Sequence, residues 1–166
     1  MIHAYIGWIG ATLALGAVLA HADEQSDCAA GKGTLLVGQV VQGPIFAKGK
    51  PLKGVNLTHT HIGLKVNGQD AIYDVAIDNV FAADFVKNST TSPASLMAIQ
   101  VGDHLELCGK LYSPPETGID WVHTNCGAPP AMNAPNGWIK EVDANGLLGP
   151  NLDATQTYCS LWRPAH

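Results

Sequence analysis

The sequence lacks most of the motifs that announce a known chemistry. It has neither G-x-G-x-x-G nor a P-loop, so nothing marks a dinucleotide or nucleoside-triphosphate cradle. It has no G-x-S-x-G, the turn that presents a nucleophilic serine. It has no C-x-x-C, which argues against a cysteine-built metal knuckle. No internal repeat or low-complexity tract occurs. Cations are scarce: 9 Lys+Arg stand against 14 Asp+Glu, a net charge of −5. The longest basic cluster, Lys48, Lys50 and Lys53, sits in a Gly/Pro-containing loop. Binding to a phosphate backbone depends on clustered cations, so nucleic acid is argued against as a partner. Beyond Ala20 no apolar run is long enough to cross a bilayer as a helix, which takes ~20 residues.

What is present begins with Ile6 to Ala20, apolar throughout and the size of a signal-peptide core. Ala20-His21-Ala22 offers small residues around one bulkier residue, and Asp23-Glu24 follow at once. These features predict a signal peptide over residues 1–22 and a single mature domain over 23–166. The segment before the apolar run has no Lys or Arg, and an uncleaved anchor is the alternative. Cleavage removes no Asp, Glu, Lys or Arg, so the mature chain keeps the acidic balance. Cys28, Cys108, Cys126 and Cys159 all follow the cleavage site. An even count in an exported chain predicts two disulfides and a periplasmic or secreted location.

Period-2 alternation and turn residues predict the elements. The first strand is Thr34 to Gln42, followed by a loop from Gly43 to Gly54. The second is His59 to Val66, with Thr60, Ile62, Leu64 and Val66 on one face and His59, His61, Gly63 and Lys65 on the other. Asn67-Gly68 is a strong hairpin signal leading to the third strand, Ala71 to Ile77. Asn79 to Lys87 suits two helical turns, and Ser92-Pro93 starts another short helix. The fourth strand is His104 to Leu111, with Leu105, Leu107 and Leu111 opposite His104, Glu106, Cys108 and Lys110. After the Ser113–Gly118 turn the fifth runs Ile119 to Thr124. The order predicts a mainly β fold, a five-stranded OB-like barrel with a short helical crossover between strands 3 and 4. A plain β-sandwich is the alternative. The C-terminal extension, Gly127 to His166, is rich in Pro, Gly and Asn and reads as irregular.

Four segments then carry a resemblance: Gly102-Asp103-His104-Leu105-Glu106, Gly109, Asp120-Trp121-Val122-His123 and Asn136-Gly137-Trp138-Ile139. They resemble a small exported bacterial family of unknown function, whose members carry a G-D-x-hydrophobic-E strand, an H-W-T-H-H strand end and a D-G-W step. The resemblance spans about Val101 to Glu141 and implies an OB-like barrel. Asp120 and Thr124 stand where the family has the first and last histidines of the strand end.

The candidate site follows from spacing. His59 and His61 lie two apart on a strand, so both rings leave one face. With His123 as a third ligand they suit zinc. His104 is a weaker third choice, and Glu106 or Asp120 would act as base or orienting group. The alternative is that both histidines are solvent-facing polar positions. Trp121 and Trp138 suit stacking on a ligand ring, or else they pack the tail onto the strands. Two functions result. The first is an exported cell-envelope binding module without a cofactor, holding a small polar ligand, a glycan or an envelope protein at His61, Trp121, His123 and Trp138. The second is a metal-assisted hydrolase with zinc on His59, His61 and His123. A hairpin around Ser113–Gly118 puts Cys108 opposite residue 125 or 126, which predicts Cys108–Cys126 and leaves Cys28–Cys159. The competing pattern is Cys28–Cys108 with Cys126–Cys159.

Overall fold

The computed structural model describes the backbone of residues 15–162 and the side chains of 23–162. The expected signal peptide, 1–22, therefore lies outside the fully described residues.

In chain order the elements are α1 (Leu15–Ala30), β1 (Thr34–Ala47), β2 (Pro51–Leu52), β3 (Val55–Asn56), β4 (His59–Val66), β5 (Ile72–Asp78), α2 (Ala94–Met97), β6 (His104–Leu111), β7 (Gly118–Asp120) and β8 (Trp138–Val142). The protein is mainly β. A six-stranded sheet runs β1-β4-β5-β7-β6-β8, and β1 pairs a second time, with β6. The 14-residue β1 makes this double pairing, giving Thr34–Gln39 to β6 and Gly38–Ala47 to β4. Register irregularities between Val40, Gln42 and Ile45 bend it between the two partners. All these pairings are antiparallel except β5 with β7, where Asp74 faces Gly118 and Val75 faces Ile119.

The alternation in β4 sets the core. Thr60, Ile62, Leu64 and Val66 are buried, while His59, His61 and Lys65 are only partly so. Ile62 and Leu64 pack with Val75, Ile77, Leu105, Leu107 and Ile119. Each such buried aliphatic side chain contributes roughly 1.5–3 kcal/mol. Asn67-Gly68 makes the hairpin, with Gly68 at φ 74°, a conformation that glycine adopts freely.

Several segments differ from the sequence-based expectation. Residues expected as a polar lead-in belong to α1, which continues to Ala30. Lys32, at φ 63°, turns the chain into β1. Between β5 and β6 only Asn79–Phe81, as a 3-10 turn, and α2 are helical. Instead of helix, a buried polar network holds this stretch: Thr60 Oγ1 bonds Asn79 Oδ1 at 2.6 Å and Ser92 Oγ at 2.7 Å, and Asn79 Nδ2 donates to Thr58 Oγ1 at 3.0 Å. The tail is not wholly irregular, because Trp138–Val142 forms β8 on the outer edge of β6.

The fifth expected strand stops at Asp120, four residues early, and this changes the disulfides. Trp121 sits at φ 58° and breaks the ladder. Lys110 faces Asp120 and Leu111 faces Ile119, a register that aims Cys108 toward position 122, not 126. Cys108 instead faces Leu35 on β1 and Trp138 on β8, and it bonds Cys28 at the end of α1. Cys126 swings into the tail and bonds Cys159. The expected Cys108–Cys126 and Cys28–Cys159 pairs are thus corrected to the competing pattern. Gly33 is required beside the first bridge, because a Cβ there would collide with Cys108 Sγ. Two disulfides indicate an oxidising compartment. No described helix is long and apolar enough to cross a membrane.

Candidate functional site

The β4–β5 hairpin places His59 directly opposite Asp78 and His61 opposite Ala76. His59 Nε2 lies 2.9 Å from Asp78 Oδ1. His61 Nδ1 lies 2.9 and 3.0 Å from the two oxygens of Asp74, and Tyr112 Oη donates to Asp74 Oδ2 at 2.8 Å. Each histidine of the pair thus has its own carboxylate, and the two rings stand 6.3 Å apart. His123 arrives from the segment beyond β7. Its Nε2 is 3.5 Å from the other oxygen of Asp78, and its ring is 5% exposed. Asp78 therefore joins His59 to His123, one imidazole at each oxygen.

The backbone at Trp121 makes this arrangement. A left-handed conformation costs a non-glycine residue about 1–2 kcal/mol, and such strain concentrates at functional sites. At φ 58° Trp121 turns the chain so that its ring stacks on His123, centroids 5.3 Å apart. On the other side Phe81 stacks on His123 at 3.7 Å and 7°, and Trp162 stacks on Phe81 at 5.4 Å. The Cys126–Cys159 bridge ties down the turn Cys159–Trp162 that brings Trp162 to the site.

Two cavities result, sharing Asp78 and Trp121. A polar one of about 340 Å³ is lined by His59, His61, Ala76, Asp78, Tyr112, Asp120 and Trp121. An aromatic one of about 330 Å³ has Leu57, Phe81, Trp121, His123 and Trp162 in its walls. A larger groove of about 510 Å³ lies elsewhere, between Gly102–His104 and Glu141–Gly149. Two of the carboxylates around it already accept hydrogen bonds: Asp103 from Gln100 N, and Asp143 from Asn145 N and Leu147 N.

The local fields differ from one imidazole to the other. Pairing with Asp78 holds His59 above the ordinary imidazole value, while burial holds His123 below it. Burial also raises Asp120, and it raises Asp153 far more. Asp153 is fully buried, neither of its oxygens has a hydrogen-bond partner, and Asp78 adds to its upward shift. Asp120 Oδ1 and Trp121 Nε1 are likewise buried without partners. Buried polar atoms are nearly always satisfied, so such a group of exceptions marks a site.

The expected site residues divide. His59, His123 and Trp121 come together, and His61 lies beside them at Asp74. His61 and His123, expected in one site, do not meet: β5 separates β4 from β7, and His59 is the ring that meets His123 through Asp78. The zinc triad of His59, His61 and His123 does not assemble either, because the rings turn to two different aspartates. Among the described residues no three His, Cys, Asp or Glu side chains form a metal-holding group.

Trp138 is corrected too. It packs on the Cys28–Cys108 bridge, its Nε1 donates to Glu106 Oε1 at 3.3 Å, and Lys140 lies over its ring. That also removes Glu106 from any role at the histidines. Asp78 was missed, although it stands on the hairpin directly across from His59. No protein-family model, curated protein or solved structure matches this chain.

Proposed function

We propose that this chain is an exported binding module, built on an OB-like barrel, that holds a small polar ligand at the Asp78 site. The pairing of β1 with both β4 and β6 and the parallel β5–β7 contact support the barrel. So does the resemblance over Val101–Glu141. The two disulfides support export to the periplasm or the medium.

One observation carries the binding role. Two cavities of ligand size share Asp78 and Trp121, and buried polar atoms around them lack protein partners. Ligand sites are concave, largely apolar, and carry a few placed polar groups that fix orientation. The aromatic cavity supplies the first two features, and Asp78, His123 and Trp121 Nε1 supply the third.

The test is a two-dimensional NMR screen of the protein as secreted, against monosaccharides, amino acids and small amines. The reading expects shifts centred on the Trp121 indole, the His123 ring and residues 78–81. Shifts confined to the Gly102–Gly149 groove, or no shifts with any class, would contradict it.

A further inference from the structure

The hydrogen-bond polarity of the site says what the ligand must bring. His123 Nδ1 is 3.0 Å from the carbonyl oxygen of Thr124. A carbonyl only accepts, so Nδ1 carries the proton. The ring is buried, which favours its neutral form, so Nε2 presents a lone pair. That lone pair lies 3.5 Å from Asp78 Oδ2, a second acceptor. The donor that Asp78 does have, His59 Nε2, is at the opposite oxygen. Two acceptors therefore face each other with no protein hydrogen between them.

Asp120 Oδ1 is a further buried oxygen without a partner, and Trp121 Nε1 and the carboxyl of Asp153, which burial raises well above the ordinary value, are also buried without partners. The titratable groups facing Asp78 are His59, His123, Asp120 and Asp153, with Lys110 paired to Asp120 at 3.6 Å. Carboxyl groups outnumber cations. The walls next to the opposed acceptors are the rings of Phe81, Trp121 and Trp162. Aromatic faces attract cations through the ring quadrupole. A mainly apolar cavity of about 330 Å³ also has room for a carbon body that a bare metal ion lacks.

Resting on the binding role above, we propose that the Asp78 site selects a small organic ammonium ion. Its N–H groups bond Asp78 Oδ2 and His123 Nε2, and its apolar body lies against Phe81, Trp121 and Trp162. A neutral alcohol supplies one donor and no charge. A carboxylate adds another acceptor where acceptors are already in surplus. Both are rejected by the same arrangement.

The probes are benzylammonium, benzyl alcohol and benzoate, titrated at pH 7.5 and low salt into the secreted protein and followed by calorimetry and by the Trp121 and His123 resonances. Benzylammonium is expected to bind at least about tenfold more tightly than benzyl alcohol, the scale of one desolvated cation–aromatic and charge contact. Benzoate is expected to bind most weakly. Asp78→Asn is expected to abolish the preference. His123→Phe, which keeps the ring stack and removes the lone pair, is expected to reduce it, and it serves as the test if Asp78→Asn fails to fold. Equal binding of amine and alcohol, or a preference for benzoate, overturns the ammonium assignment while leaving the site as a ligand site. Failure of all three probes to move Trp121 and His123 overturns the ammonium assignment, and the binding role falls with it when the monosaccharides and amino acids of the wider screen move neither residue. A zinc titration that shifts His59 and His123 and blocks benzylammonium overturns the ammonium assignment in favour of a metal.

Discussion

Around the Cys28–Cys108 bridge, a tryptophan and a buried acid close on each other: Trp138 packs with the disulfide and donates to Glu106, and both cysteines are 0% exposed. Around Cys126–Cys159 the same three kinds of part stay apart. Trp121 Nε1 has no acceptor, Asp153 has no donor, and Cys126 lines a cavity. The first region resembles an ordinary small core. The second leaves buried polar atoms unmatched, at about 1–3 kcal/mol for each unsatisfied group. A fold carries such a deficit where something else supplies the partner. Residue type therefore does not decide between scaffold and site; whether the tryptophan N–H and the buried acid meet each other does.

Removing each bridge should separate the two regions most strongly. The chain-entropy relation gives about 4.5 kcal/mol for Cys28–Cys108, spanning 80 residues, and about 3.7 kcal/mol for Cys126–Cys159, spanning 33, both upper figures. Urea unfolding of the two double alanine variants is expected to rank them in that order. The Cys126–Cys159 variant is also expected to lose benzylammonium binding at concentrations where it stays folded, because Trp162 is released. Equal loss of binding in both variants would break the comparison.

The two tryptophans offer a finer test. Trp138→Phe removes the hydrogen bond from Nε1 to the buried Glu106 and should destabilise by about 1–3 kcal/mol. Trp121→Phe removes a donor that has no acceptor, so its effect on stability should be smaller. Its effect on the binding of benzylammonium should be the larger of the two. Denaturant midpoints and calorimetry on both variants measure this directly.

Asp153 gives the smallest effect and a definite sign with pH. Burial raises its folded value well above the unfolded carboxyl, so its contribution to stability is fully present below the unfolded value of 3.8. It is lost as pH rises through the folded value. Asp153→Asn is therefore expected to stabilise the protein at pH 7, by about 1–2 kcal/mol, and the gain should shrink toward pH 4. A gain independent of pH would mean that Asp153 is not held in a charge-hostile place.

Much of the scaffold was legible. Alternation over His59–Val66 put the histidines opposite the core, and Asn67-Gly68 fixed the hairpin that carries them. Leu105 and Leu107 marked one buried face of β6, whose other face, with Glu106 and Cys108, is buried too. β8 was hidden because five strand residues, Trp138–Val142, lie among Pro, Gly and Asn that read as loop. The left-handed Trp121 has no sequence signal, since a tryptophan gives no local reason to leave the strand. The disulfides were misassigned through the hairpin register, because Lys110 faces Asp120 and Leu111 faces Ile119, which aims Cys108 at position 122 and leaves Cys126 beyond it. Of the site, His59, His61, His123 and Trp121 were visible. Asp78 needed the cross-strand register, and Asp153 needed tertiary burial that the tail's composition does not announce.

In the ligand-free protein His123 Nε2 and Asp78 Oδ2 face each other as acceptors. Long-range ¹⁵N–¹H correlation of the His123 imidazole at pH 7.5 reads this directly. The structure predicts the neutral Nδ1–H tautomer with Nε2 unprotonated. A proton on Nε2 at that pH, as the other tautomer or as imidazolium, would mean that Asp78 already has its donor and that no ligand ammonium is needed there.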